Sequence, residues 1–320
     1  MKRLLQLTVF TLGLILAIGG IIAYDSACAC GTGNVSLVAQ VVRKIAPATG
    51  AKIYNTLSAA DNGGNKNTEN FVELPVSVPP APNKIRVTYI TESKGFKHSV
   101  LPESEKILQE LGAKNNFDVK ISQDSAQVIT AENLKNIDVL IFYTTGELPW
   151  SDEQKKLFLD FVKNGKGFIG IHSATDTFYK WPEYGELIGA YFDGHPWTSN
   201  TKVTVKKDDK KFPLTKQFED SFAWTEETYQ YKQFNFKECK VVMSLDTTKT
   251  DMTKKGIRGI YAVGEQANIK ADSFPLVWYR SYGNGRVFYS EPGHNSAIWK
   301  DARYQTMITN AIKWTAKKLK

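Results

Sequence analysis

Four histidines, His98, His172, His195 and His294, are spread over 320 residues, and none lies within an apolar run. His98 follows KIRVTYITESKGFK, His172 ends KGFIGI, His195 lies in FDGHPW, and His294 closes GRVFYSEPG. A neutral imidazole can give its lone pair to zinc or a similar divalent ion, or it can move a proton. Carboxylates such as Asp176 or Asp193 can complete a metal shell or orient a ligand. No pair of histidines has the spacing of a local metal signature such as H-E-x-x-H. Any joint site must therefore be assembled by the fold, and the plain alternative is exposed loop histidines without a role. Cysteine chemistry finds little support. Cys28 and Cys30 lie in the amino-terminal region, and Cys239, alone inside FKECKVVMSL, reads as a buried core residue.

The elements that must position these residues alternate between strand and helix from Lys84 onward. KIRVTYITE reads as a strand and EKILQELG as a short amphipathic helix ending at Gly112, followed by strands in FDVKISQD and IDVLIFYTTG. The last is almost unbroken apolar sequence, as in the middle of a parallel sheet. Ser151-Asp152-Glu153-Gln154 is a capping box opening the helix SDEQKKLFLDFVKNG, which Gly165 closes, and KGFIGIH is the next strand. Later come the strands TKVTVKKD and CKVVMSLD, a hairpin turning at Tyr282-Gly283-Asn284-Gly285-Arg286, and a last helix in DARYQTMITNAIKWTAKKLK. This rhythm predicts a mostly parallel sheet covered by helices on both faces. Ligands bind beyond the carboxyl ends of such strands, which puts Glu92, Thr144, Thr145 and His172 at the rim of a site.

GFKHS at 95–99, TTGELPWSDEQKKLFLDFVKNGKGFIGIHSATDTFYKWPEYGELIGAYFDGHPW at 144–197 and YGNGRVFYSEPGH at 282–294 resemble the ThuA-like family, named for trehalose utilisation, over residues 84–317. The resemblance implies an α/β fold like that of class I glutamine amidotransferases and an association with carbohydrate metabolism. Those amidotransferases carry a catalytic cysteine in a G-x-C-x-G elbow between strand and helix. Here the matching stretch is Gly170-Ile171-His172-Ser173-Ala174, with His172 at the centre and Ser173 one residue off it. Without the thiol, glutaminase chemistry by a thioester has no nucleophile. In the sheet order of that fold, His98, His172 and His294 converge at the carboxyl rim, with His195 approaching on the intervening loop. The resemblance thus implies a metal set of His98, His172, His294 and His195, with His172, His294 and Asp176 as catalytic groups.

Aromatic faces stack on sugar rings, and Phe178 to Trp197 is crowded with them. Most must be packing. Trp181 and Trp197, beside turn-forming prolines, are the candidate sugar contacts, together with Thr145 and Glu291 at the rim. The expected function is metal-assisted hydrolysis or isomerisation of a sugar or keto-sugar derivative; the alternative is a non-catalytic carbohydrate-binding protein tethered at the cell envelope.

Residues 1–29 have the basic start and apolar middle of an export signal, with Ala27-Cys28-Ala29 as a cleavage site, although the run of ~20 apolar residues is also long enough to remain as an anchor. Residues 30–83, rich in Asn, Gly and then Pro, read as a flexible tether, and 84–320 as one ThuA-like domain. The expected location is the periplasm or cell envelope, with membrane contact only through an uncleaved amino terminus. The net charge of +8 comes from lysines scattered among acids, which gives no footprint for nucleic acid. The oligomeric state is left open.

Overall fold

The computed structural model describes residues 84–255 and 274–319. The signal or anchor expected at 1–29 and the tether expected at 30–83, with Cys28 and Cys30, lie outside the described residues. Among the described residues, no helix is long and apolar enough to cross a membrane.

The strands are β1 (Ile85–Ile90), β2 (Phe117–Ser122), β3 (Val139–Phe142), β4 (Gly167–Ile171), β5 (Tyr191–Phe192), β6 (Lys202–Lys207), β7 (Ser221–Thr225), β8 (Tyr231–Lys232), β9 (Lys240–Leu245), β10 (Pro275–Tyr282) and β11 (Gly285–Ser290). Nine of them form one sheet in the order β2-β1-β3-β4-β11-β10-β9-β6-β7, while β5 and β8 pair separately. The first five strands in that order run parallel, and the remaining four continue antiparallel.

The parallel strands read as apolar runs because both their faces are buried. Val87, Tyr89, Ile141, Ile169, Ile171 and Phe288 point into one core. That core is closed by α1 (Leu101–Asn115) and, at the carboxyl terminus, by the helix Ala302–Thr315. The alternate residues Leu140, Phe142, Phe168, Val287 and Tyr289 point into the opposite core. Around that core lie the short helices α2 (Ser125–Val128) and α3 (Ala131–Leu134), then α4 (Asp152–Lys163) and α5 (Pro182–Ile188). Two further helices, α6 (Ser296–Lys300) and α7 (Ala302–Thr315), complete the chain. Fully burying each large apolar side chain stabilises by roughly 1.5–3 kcal/mol, so both faces contribute to a single sheet's stability.

The caps follow the sequence with one correction. Ser151 accepts from the Gln154 backbone and Gln154 reaches back to Ser151, as the capping box requires, and Gly165 takes φ +113° just past α4. Gly112, however, does not end α1, which runs three residues further and closes on Asn116 at φ 60°. Gly112 is glycine for a different reason: a Cβ there would sit 2.5 Å from Cγ2 of Val119 on β2, so the residue permits close helix–strand approach. Cys239 is buried in the α5 face of the core, and burial pushes its thiol up to about 12.

Candidate metal and proton-transfer site

The chain turns sharply after β4. His172 takes φ 46°, a left-handed conformation that a side chain with a Cβ adopts at some cost, and a 3-10 turn, His172–Thr175, follows. Its neighbours make room for the corner. A Cβ on Gly170 would lie 2.9 Å from both Ile188 and Tyr289, and 3.2 Å from the Ala174 Cβ. The Tyr289 hydroxyl donates to the His172 carbonyl at 2.5 Å, which fastens the turn to β11.

The corner presents a fully buried imidazole whose tautomer is set by its partners. Nδ1 lies 2.9 Å from the Glu291 carbonyl oxygen, which can only accept, so Nδ1 carries the proton. Nε2 is then left with its lone pair, 2.8 Å from the Tyr229 hydroxyl and 3.3 Å from Glu227 Oε2. A lone pair facing a carboxylate is repulsive unless a proton or a cation lies between them.

Around that contact the other imidazoles gather. His98 arrives on the loop after β1, its ring 4.9 Å from that of His172 and 5.2 Å from that of His294. Its Nδ1 is buried without a hydrogen-bond partner. Burial, reinforced by His172 and His294, pushes His98 down to about 3, so it is a neutral donor of electron pairs at ordinary pH. His294 comes from the loop after β11. One ligand atom from each of His98, His172, His294 and Glu227 falls within 4.8 Å of the others. Burial alone would raise the Glu227 carboxyl, but its close approach to His172, and the fields of His294 and His195, outweigh it and hold the group below the usual range.

The neighbouring Glu226 faces the other way. Its carboxylate accepts the backbone N–H groups of Gly293, His294 and Asn295 at 3.3, 2.5 and 3.1–3.2 Å, which fixes the loop that delivers His294. Even so, burial pushes Glu226 up to about 8.

The structure sorts the residues expected from sequence. His98, His172 and His294 meet as expected. His195 stands outside them, about half exposed, with Nδ1 3.4 Å from Glu227 Oε1, so a carboxylate occupies the fourth place in the cluster where an imidazole was expected. Glu291 is buried beneath the site: its carboxylate accepts from Tyr229 N at 3.2 Å, and burial holds its pKa well above the ordinary range. Thr145 is a clamp rather than a ligand group, since its hydroxyl donates to Phe96 O and accepts from Gly95 N. Asp176 caps the 3-10 turn, accepts from Tyr179 OH at 2.6 Å, and is not a member of the cluster. Glu92 binds Ser125 and Lys94. The two tryptophans are corrected outright. Trp181 packs among Trp150, Phe158 and Phe178, and Trp197 is fully buried against Phe274 with its indole N–H on Asp251 O, so neither offers a face to a sugar. Glu226, Glu227 and Tyr229, the residues missed from sequence, sit in WTEETY. Two adjacent acids leaving an alternating strand are the signal that was there to find.

A sheet whose central strand ends in a tight corner, with helices on both faces, is an α/β fold of the class I glutamine amidotransferase type, here with imidazole at the corner instead of a thiol. The chain belongs to the ThuA family, described as trehalose utilisation, whose sequence profile matches residues 86–315. Among solved structures it is similar to a putative ThuA-like protein from Bacteroides uniformis, at 24% identity and TM-score 0.58, covering 77% of this chain and 97% of that one. A putative ThuA-like protein from Parabacteroides merdae is similar at 16% identity and TM-score 0.53, covering 74% and 91%. No curated protein matches.

Proposed function

We propose that this chain is an exported enzyme that carries out metal-assisted hydrolysis or isomerisation of a sugar or keto-sugar derivative. The observation that carries the reading is the convergence of His98, His172, His294 and Glu227 within 4.8 Å, with a buried His98 nitrogen that has no protein partner. Three imidazoles and one carboxylate suit zinc or a similar divalent ion. Such an ion would polarise a sugar hydroxyl or carbonyl oxygen. The remaining work falls to the chain. The Glu291 carbonyl keeps the His172 proton on Nδ1 and its lone pair turned inward. Glu226 holds the His294 backbone. His195, about half exposed and 3.4 Å from Glu227, is placed to pass a proton between that carboxylate and solvent. Glutaminase chemistry is excluded from the reading by the imidazole at the corner. Family membership supports the carbohydrate, and the apolar amino-terminal run supports export.

The test is metal analysis of the purified protein, followed by turnover of disaccharides and their oxidised keto derivatives. The wild type is expected to retain a stoichiometric divalent ion, and Glu227→Ala to bind it roughly a hundredfold more weakly and lose turnover. Sugar binding that persists unchanged in Glu227→Ala, without turnover in either protein, would leave a binding module instead. Turnover that survives complete metal removal would refute the metal role.

A further inference from the structure

We propose that Phe96 is the platform of this site, taking the apolar C–H face of a pyranose ring. The proposal rests on the carbohydrate reading above and names the part of the protein that holds the sugar. Among the described residues only two large hydrophobic side chains are exposed, Phe96 at 66% and Tyr179 at 37%, and of these Phe96 lies against a member of the cluster, His98. An isolated exposed apolar residue is ordinary on a protein surface. What distinguishes Phe96 is its fixed placement. Lys94 N donates to Thr145 O at 2.8 Å, Gly95 N donates to the Thr145 hydroxyl at 3.2 Å, and that hydroxyl donates to Phe96 O at 3.0 Å. The seam leaves no slack, since a Cβ on Gly146 would lie 2.8 Å from Gly95 N. The loop therefore holds the phenyl ring ready, with its centroid 4.9 Å from that of His98 and the two planes at 82°.

Tyr179 is less free to serve. Its hydroxyl is committed to Asp176, and the Lys232 ammonium lies 4.8 Å from its ring centroid. The buried tryptophans offer no face at all. Phe96 is thus the open aromatic surface in contact with the cluster, and a ring laid on it brings its hydroxyls toward the imidazoles.

The requirement for a C–H face narrows the class of ligand, since an open-chain polyol has no ring to lay on the phenyl face.

Titration calorimetry on the full chain tests this with trehalose and sorbitol as probes, using wild type, Phe96→Ala and Phe96→Trp, with metal content measured on each. Trehalose is expected to bind wild type more tightly than sorbitol. Its affinity should fall about tenfold in Phe96→Ala and be retained in Phe96→Trp, at equal metal content. Equal trehalose affinity in wild type and Phe96→Ala overturns the proposal. So does a wild type that binds neither probe or prefers the polyol, and so does metal loss in Phe96→Ala that tracks its sugar loss. If wild type holds no metal, the metal role fails by itself, and the ratio between wild type and Phe96→Ala in metal-free protein still decides the platform.

Discussion

The parallel half of the sheet and its antiparallel continuation contribute to the site in opposite ways. The parallel strands deliver His98, His172 and His294 from loops at their carboxyl ends, each close to a regular element. The continuation delivers Glu226, Glu227 and Tyr229 from an irregular strap between β7 and β8, in which no regular element sets the direction of a side chain. One half supplies electron-pair donors by topology. The other supplies negative charge and backbone support by a single crossing of the chain. A parallel sheet repeats its geometry from strand to strand, so its rim is a predictable place; a strap has only its end points in common with the rest of the fold.

Substitutions can break or sharpen this contrast. The largest effect is expected away from the site, where Trp181→Ala and Trp197→Ala should each cost about 3–5 kcal/mol in chemical denaturation while the folded protein keeps its ligands. Trp181 sits in the large core beside α4 and Trp197 in a small cluster with Val203, Leu245 and Phe274, so unequal losses would measure how independently the continuation is stabilised. Next comes Glu226→Gln, in which an amide replaces the acceptor of three backbone N–H groups. Hydrogen exchange at Gly293, His294 and Asn295 should accelerate, and any metal affinity should drop roughly tenfold, a change that a bystander would not produce. Unchanged exchange there would remove the strap's supporting role.

A smaller effect belongs to the opposite end of the parallel strands, where Asp138 pairs with Arg86 and Lys166 at 2.7 and 2.8 Å. Burial would raise this carboxyl, but the hydrogen bonds from Arg86 and Lys166 win and hold it well below the usual carboxylate range. Its folded pKa is therefore depressed. The stability it contributes is present above the unfolded value near 4 and is lost as pH falls through the folded value. Asp138→Asn should cost about 1 kcal/mol at pH 7 and flatten the acid limb of a stability–pH curve. The smallest effect is Ser173→Ala, expected within about 0.5 kcal/mol of wild type with site function intact, because the Ser173 hydroxyl is buried without a partner. A large loss in that variant would mean that the serine next to the corner takes part in the chemistry.

Much of the fold could be read before any coordinates. The apolar runs of β1, β3 and β4, the Ser151 capping box, the hairpin at Gly283 and the carboxyl-terminal helix all follow from local patterns, and the motif containing His172 pointed to the rim. The failures have physical causes. Gly112 looked like a helix end because glycine's two uses, a left-handed cap and a close approach, are indistinguishable in a string. Trp181 and Trp197 looked available because proline turns suggest surface, yet their rings fill two separate cores. His195 was taken for a ligand and Glu227 was overlooked because the pairing of the strap with the loop after β11 spans 68 residues from Glu226 to His294, far beyond any local periodicity.

The left-handed backbone at His172 also ranks the replacements that the position accepts. Glycine, asparagine and aspartate tolerate this conformation, whereas valine, isoleucine and threonine do not. A saturation library at position 172 would therefore be sorted twice, first by whether the corner can be turned and only then by what the new side chain can do. Asparagine is the informative survivor: it keeps the turn and a donor for the Glu291 carbonyl while removing the ring nitrogen that faces Glu227. The backbone thus limits the replacements at this corner before their chemistry counts.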